Sequence, residues 1–347
     1  MEIWELYVDV NINEANMKHL YIIGNGFDIH HDIQCGFDKY AIWLEKNYPA
    51  IYYQVEDWYF AYDKKLWSDF EHLLGDLDVR YHARRIADEN FPSQKKLAES
   101  EGREFDNLKR KYEQSSEEAR DEFEALYESI RNSFREWVEQ LDKPKEDRKL
   151  PIEKADSLFI TFNYTDVLES LYRVPEERIL YIHGKAKRDD ELILGHGLSQ
   201  DDIQTRNTEV PPEDLKTEEE IKKFFDRQGD DSVVDETYDV IVNQLAEQVK
   251  PVGRLMRKIK MFMSGNEDVD VIHIYGFSFS DIDMPYIEDI ASMVDLKSVK
   301  WEVSYYDDED EERFRKMVRD IGVSDEKIST TTLEKIKKYG GCETLFG

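Results

Sequence analysis

The sequence predicts an α/β fold, in which a mostly parallel sheet is interrupted once by a large helical insertion. Three observations lead there. Short apolar runs of strand length recur and stop abruptly, as in HLYII before Gly24, SLFITF before Asn163, ILYIH before Gly184 and DVIHIY before Gly276. Stretches with helical apolar spacing lie between them, which is the pattern of a parallel sheet with crossovers. From Gly36 to about Leu141 the pattern is mainly helical.

In chain order, residues 1–16 (MEIWELYVDVNINEAN) carry no motif and read as a leader, with Met17 as an alternative first residue. Residues 17–35 open the core, and residues 36–150 form the insertion. Within it, FDKYAIWLEKNY and WYFAYDKKLWSDFEHLLGDLD both show helical spacing. A charged stretch over 94–142 repeats Leu97, Phe105, Leu108, Tyr112, Phe123, Leu126, Ile130, Phe134 and Trp137 as a helical hairpin would. Residues 151–347 complete the core. They supply strands at 157–162, 179–184, 191–197 (ELILGHG), 270–275 and 299–306, and helices after Asn163, over 233–263 with a boundary at Pro251, and from Asp307 to Gly322. Residues 199–232 read as a mobile acidic loop with one short helix.

The chain has 77 acidic against 47 basic residues and a net charge of -30. This argues against direct nucleic-acid binding, which needs lysine and arginine to displace counterions. It leaves a small anion possible, because a glycine turn binds phosphate through backbone dipoles whatever the net charge. No run of eighteen apolar residues, secretory signal or lipidation motif is present, so no membrane is expected and the cytoplasm is the expected location. Cys35 and Cys342 are too few for a four-ligand zinc site or a disulfide framework, and no metal is expected.

Chemistry-bearing residues sit at four strand ends: GNGFD (24–28), FNYTD (162–166), IHG (182–184) with GHG (195–197), and YGFSFSDID (275–283). Ligands in open α/β sheets sit outside the carboxyl ends of strands, so a shared site explains all four. Gly24-Asn25-Gly26 begins a dinucleotide fingerprint, but Ile29 stands at the third glycine position and helix follows where a second strand belongs. A dehydrogenase is thereby excluded. Asn163 is a candidate polar contact and His183 a candidate base, histidine having a pKa near working pH. Each also has a structural alternative: Asn163 or Thr165 as a helix cap, His183 as a bonded turn residue. Ser278, Ser280, Asp281 and Asp283 suit either ribose hydroxyls or the cap of the next helix. His30, His31 and His196 are further pocket candidates, and Glu71 is a candidate charge or a solvated helix residue.

The ordered set GNGFDIHHDI, LWSDFEHLLGDLD, FITFNYTDVLESLY, YIHGK, LILGHG and YGFSFSDIDMPYIEDI resembles the bacterial AbiH abortive-infection family from about residue 17 to 322. That resemblance implies a role in phage defence. The core motifs also resemble, more remotely, the Rossmann-like NAD-binding fold of sirtuins. This second resemblance implies that Asn163 and His183 occupy active-site positions, Asn163 ordering water and ribose and His183 moving a proton. It further implies that Gly24, Asn25 and Gly26 cradle a pyrophosphate, with Asp28 near the ribose, Asp166 also binding the nucleotide, and Ser278 and Asp283 at the adenosine end. The missing four-cysteine zinc module and the bulky Phe27 depart from true sirtuins, so the implied reaction is NAD+ hydrolysis instead of deacetylation. NAD+ is then a substrate or ligand and no bound prosthetic group is expected. Two other readings stay open: a non-catalytic nucleotide or ADP-ribose sensor, and a helical interaction protein on an α/β scaffold. A homo-oligomer or a defence partner would engage through the helical insertion.

Overall fold

Apolar residues on both sides of a strand leave it only one stable place, between two layers of helices. The first strand, β1 (His19–Ile23), has four consecutive buried residues, Leu20 to Ile23. The computed structural model describes residues 17–90, 102–206, 217 and 232–336. In it β1 pairs in parallel with β2 (Ser157–Thr161) on one side and β4 (Val271–Tyr275) on the other. With β3 (Ile179–Tyr181), β5 (Lys300–Tyr305) and β6 (Ile328–Thr332) it forms a six-stranded, all-parallel sheet in the order β3-β2-β1-β4-β5-β6. This is the doubly wound, Rossmann-like α/β arrangement.

Helices follow in chain order as α1 (Asn25–His30), α2 (Phe37–Asn47), α3 (Pro49–Tyr59), α4 (Phe70–Gly75), α5 (Val79–Asn90), α6 (Arg103–Glu113) and α7 (Ser115–Glu139). After β2 come α8 (Val167–Ser170), α9 (Gln200–Arg206), α10 (Ser232–Glu247), α11 (Val252–Met263), α12 (Met284–Met293) and α13 (Asp308–Asp320). Among the described residues no helix is long and apolar enough to cross a membrane.

The two-residue period of each strand builds two cores. Leu20, Ile22, Ile272, Ile274, Trp301 and Val303 face α11, α12 and α13, meeting Ile259, Tyr286, Ile290, Phe314 and Val318. Tyr21, Ile23, Phe159, Tyr181 and Tyr275 face the other way, toward Phe27, Val167, Leu168 and Tyr172. The Asp307 side chain accepts from the N–H groups of Glu309 and Asp310 and so starts α13.

The chain divides into two compact units. The sheet unit comprises Met1–Tyr40, Arg135–Ile193 and Pro251–Gly347, and the helical unit Ala41–Phe134 and Leu194–Lys250. In the helical unit α5 packs on α10, and Trp67, Phe70, Phe123, Ile130 and Leu245 are buried.

Three expectations change. ELILGHG is not a strand: it is irregular backbone with one isolated bridge, His196 to Val249. A side chain at Gly195 would clash with the Gln248 carbonyl, so the glycine serves a close crossing and not a strand end. WYFAYDKKLWSDFEHLLGDLD is not one helix. It breaks at Phe60, whose φ is +50°, and turns where Asp63 accepts from the N–H of Lys65 at 2.9 Å. Strand β6 was not expected, because ISTTT carries no apolar run and only its Ile328 is buried. The leader, Leu97 and most of residues 199–232 lie outside the described residues; at the start of that loop α9 supplies its expected short helix.

Candidate functional site

In the order 3-2-1-4-5-6 the direction of winding reverses between β1 and β4, and their carboxyl ends mark where a ligand crevice opens. Here the two loops close on each other. The N–H of Gly24 donates to the Tyr275 carbonyl at 3.0 Å and that of Gly26 to the Gly276 carbonyl at 2.8 Å. A Cβ on Gly24 would lie 2.6 Å from the Gly276 oxygen, and one on Gly26 2.9 Å from the Gly276 Cα. Gly276 has φ +62° and would clash still harder, against the backbone of Gly26 and Phe27. The glycines of the first and last motifs therefore clasp β1 to β4. The Phe27 N–H is also held, by the Gly24 carbonyl at 3.0 Å. Asn25 stays exposed on the turn and bonds Cys35, whose Sγ donates to Asn25 Oδ1 at 2.8 Å.

Asn163, just past β2, joins this turn from the other side. Its Nδ2 donates to the Gly24 carbonyl at 3.0 Å, and its own N–H donates to Thr161 Oγ1 at 3.1 Å. A carbonyl only accepts, so the amide end facing Gly24 is the NH2 and Oδ1 is the acceptor end. Asp28, on α1, is buried beside it. Thr165 Oγ1 donates to Asp28 Oδ2, while Oδ1 has no hydrogen-bond partner. Burial pushes the Asp28 carboxyl up to about 7, against the opposing pull of the Thr165 hydroxyl and the neighbouring Asn163 amide. A carboxyl that titrates near neutrality at a strand end is a mark of functional sites. The helix-cap alternative for Asn163 and Thr165 does not hold: α8 is preceded by Asp166, and Thr165 turns to Asp28 instead.

His183 follows β3, on the neighbouring strand end. It is 2 % exposed, and its ring meets Phe162 edge-on at 5.4 Å and Tyr164 at 5.9 Å, the two residues flanking Asn163. Gly184 (φ +85°) then turns the chain where a side chain would strike the Glu191 carbonyl. Arg135 fixes the following loop by donating to the carbonyls of Ala186 (2.8 Å), Arg188 (2.7 Å) and Asp190. Asp166 pairs with Lys187 at 3.0 Å. Phe277, after β4, closes on Phe162 at 4.9 Å, which brings the YGFSFSDID loop to the end of β2. Within that loop Ser278 is exposed, and Asp283 is buried as the residue preceding α12.

The histidines of α1 point elsewhere. His30 bonds the Arg148 carbonyl at 3.1 Å and approaches Glu334 at 3.4 Å. His31 is fully buried: its Nδ1 donates to the Phe27 carbonyl at 2.7 Å and its Nε2 accepts from Tyr172 Oη at 2.7 Å. Burial lowers its pKa to about 4, so it stays neutral in the folded state. The unfolded imidazole takes up its proton near 6.5, so His31 weakens the fold as pH falls from about 6.5 to about 4, at about 1.4 kcal/mol per pH unit. Urea titrations across that range are expected to show a slope smaller by about one proton in His31→Gln.

Glu71 and His196 belong to the helical unit. His196 is fixed at both nitrogens, Nε2 donating to the Leu245 carbonyl at 3.0 Å and Nδ1 accepting from Leu198 N–H at 3.2 Å. Gly75 lets α4 approach it, since a Cβ there would lie 3.0 Å from the His196 Cβ. Glu71 is paired and not simply solvated: its Oε2 lies 2.7 Å from the Nζ of Lys250, whose side chain is fully buried. Sequence reasoning missed Lys250, and its only signal was a lysine immediately before Pro251. Lys250→Met is expected to cost about 3 kcal/mol by leaving a carboxylate behind, and Lys250→Met with Glu71→Leu to recover most of it. Thermal melts of the two variants check this.

Thus Gly24, Asn25, Gly26, Asp28, Asn163, Asp166 and His183 lie at or next to neighbouring strand ends of one sheet, and Ser278 and Asp283 lie on the segment that leads from β4 to α12. His30 and His31 face away from that group, and Glu71 and His196 build a separate cluster. No curated protein and no solved structure matches the chain. A family model, Bacteriophage abortive infection AbiH, matches residues 20–305, a span that runs from β1 to the end of β5 and includes every one of these positions. The chain therefore belongs to the AbiH family, and its role is in abortive infection of phage.

Proposed function

We propose that this AbiH protein binds NAD+ at the carboxyl ends of β1 to β4 and hydrolyses the nicotinamide–ribose bond. The observation that carries this reading is Asn163, tied to the Gly24 carbonyl and flanked by two aromatics that both contact the His183 ring. An amide and an imidazole on adjacent strand ends are the residue types that can order a water and take its proton.

In the reaction, the bond from the anomeric carbon to the nicotinamide nitrogen breaks and its electron pair leaves with neutral nicotinamide. Positive charge develops on the ribose, as in glycoside cleavage, and water adds to the anomeric carbon. With Nδ2 committed to Gly24, Asn163 Oδ1 is the end that accepts from that water or from a ribose hydroxyl. His183 takes the proton released. Asn25, exposed on the turn, and Ser278, exposed on the β4 loop, are the polar contacts offered to the diphosphate and the adenosine end. Gly24 and Gly26 act as scaffold, because their N–H groups already bond the β4 loop. Asp166 follows β2 at the same strand ends, and Asp283 precedes α12.

Burial of Asn163 and His183 suits a resting state that is silent until infection opens the site. The same burial favours a second reading, a non-catalytic nucleotide or ADP-ribose sensor. Purified protein incubated with NAD+ under activating conditions, such as added lysate of phage-infected cells, is expected to release nicotinamide and ADP-ribose in equal amounts. Tight NAD+ binding with no release under any activating condition would replace hydrolysis by the sensor reading.

A further inference from the structure

Within the strand-end site the reaction outlined above gives the buried Asp28 no step. Asp28 is 1 % exposed, receives the Thr165 hydroxyl on Oδ2, and holds Oδ1 with no partner next to the Asn163 amide. A structural carboxylate in so dry a place would have both oxygens satisfied. Among the described residues Asn163 bonds the Gly24 carbonyl and Thr161, which leaves the charge on Asp28 as the variable element beside it. We infer that Asp28 is the positioning residue of the site: its carboxylate form draws on the Asn163 NH2, sets the direction of Asn163 Oδ1, and places a negative charge behind the reacting centre. This rests on the NAD+ reading for its substrate but not for its geometry.

The sign follows from the chemistry. Hydrolysis builds positive charge on the ribose, so the ionised carboxyl favours the transition state and the neutral one does not. Activity then rises with pH as Asp28 loses its proton, with the midpoint near 7 that burial imposes. The titratable groups that face Asp28 are Asp166 before α8, Cys35 after α1 and Tyr181 on β3. Burial and neighbouring carboxylates raise the Cys35 thiol and the Tyr181 hydroxyl above their ordinary values, which leaves both neutral across that range. Asp166 is held against Lys187. Losing the Thr165 hydroxyl removes a donor to the ionised form and moves the midpoint up.

The test uses the full chain with 15N-labelled asparagine, following the Asn163 side-chain amide signal from pH 5 to 9 alongside NAD+ turnover. In the wild type the amide signal is expected to shift with a midpoint near 7. In Asp28→Asn, an isostere of the protonated acid, it is expected to stand still, and in Thr165→Val the midpoint is expected to rise. The turnover limb is expected to follow the same midpoints, with Asp28→Asn held at the low-pH rate. A signal that does not move in the wild type, or moves equally in Asp28→Asn, overturns the assignment of Asp28. Signals that behave as expected without NAD+ consumption at any pH, with or without lysate of phage-infected cells, leave Asp28 as the positioning residue and remove NAD+ hydrolysis as the reaction.

Discussion

Asn163→Ala is expected to reduce NAD+ turnover by about 10²–10³-fold while changing NAD+ affinity only a few-fold, because its carbonyl works on groups that carry charge only in the transition state. The fold is expected to survive. The amide gives one hydrogen bond to Gly24, worth about 1 kcal/mol, and the surrounding Phe162 and Tyr164 stay in place. Asn163→Asp separates the roles further. It replaces the donor facing the Gly24 carbonyl with a carboxylate beside Asp28, so turnover is expected to fall and Asn163→Asp to be the less stable of the two variants. Steady-state kinetics with melting curves distinguish these outcomes. A loss confined to KM would show that Asn163 contributes uniform binding, not catalysis.

Gly276→Ala is expected to be the most damaging small substitution in the sheet unit, costing at least about 3 kcal/mol or preventing folding. The left-handed φ of +62° is one part of that cost. The larger part is that the new methyl group meets the backbone of Gly26 and Phe27, which a neighbouring side chain cannot relieve by turning aside. Gly265→Ala is the control. Its φ is +79° but nothing lies within 4 Å of its Cβ, so only strain of about 1 kcal/mol is expected. Urea denaturation of both proteins measures the difference. Equal costs would mean that β1 and β4 are not clasped at their ends.

Much of the fold was legible because parallel strands buried on both faces leave unbroken apolar runs, as HLYII, SLFIT and VIHIY do. Two errors have opposite causes. LILGHG has the composition of a strand but belongs to a close backbone crossing at Gly195. The edge strand ISTTT is stabilised by pairing with β5 and leaves only the β-branched character of its threonines in the sequence. At the site, GNG, FNYTD and YGFSF were readable as strand ends. That the glycines clasp one another was not, since Gly24 and Gly276 meet only through the β1–β4 pairing. Long separation in sequence likewise hid Asp28 and Thr165, which are 137 residues apart, and Glu71 and Lys250, which are 179 apart.

As proposed, this AbiH protein defends by consuming NAD+ at the Asn163–His183 strand ends. The most direct test follows NAD+ concentration in phage-infected cells carrying the wild type, Asn163→Ala or His183→Ala at matched protein levels. NAD+ is expected to collapse before lysis in the wild type alone, with protection lost in both variants. Protection that persists while NAD+ stays at its uninfected level would contradict it.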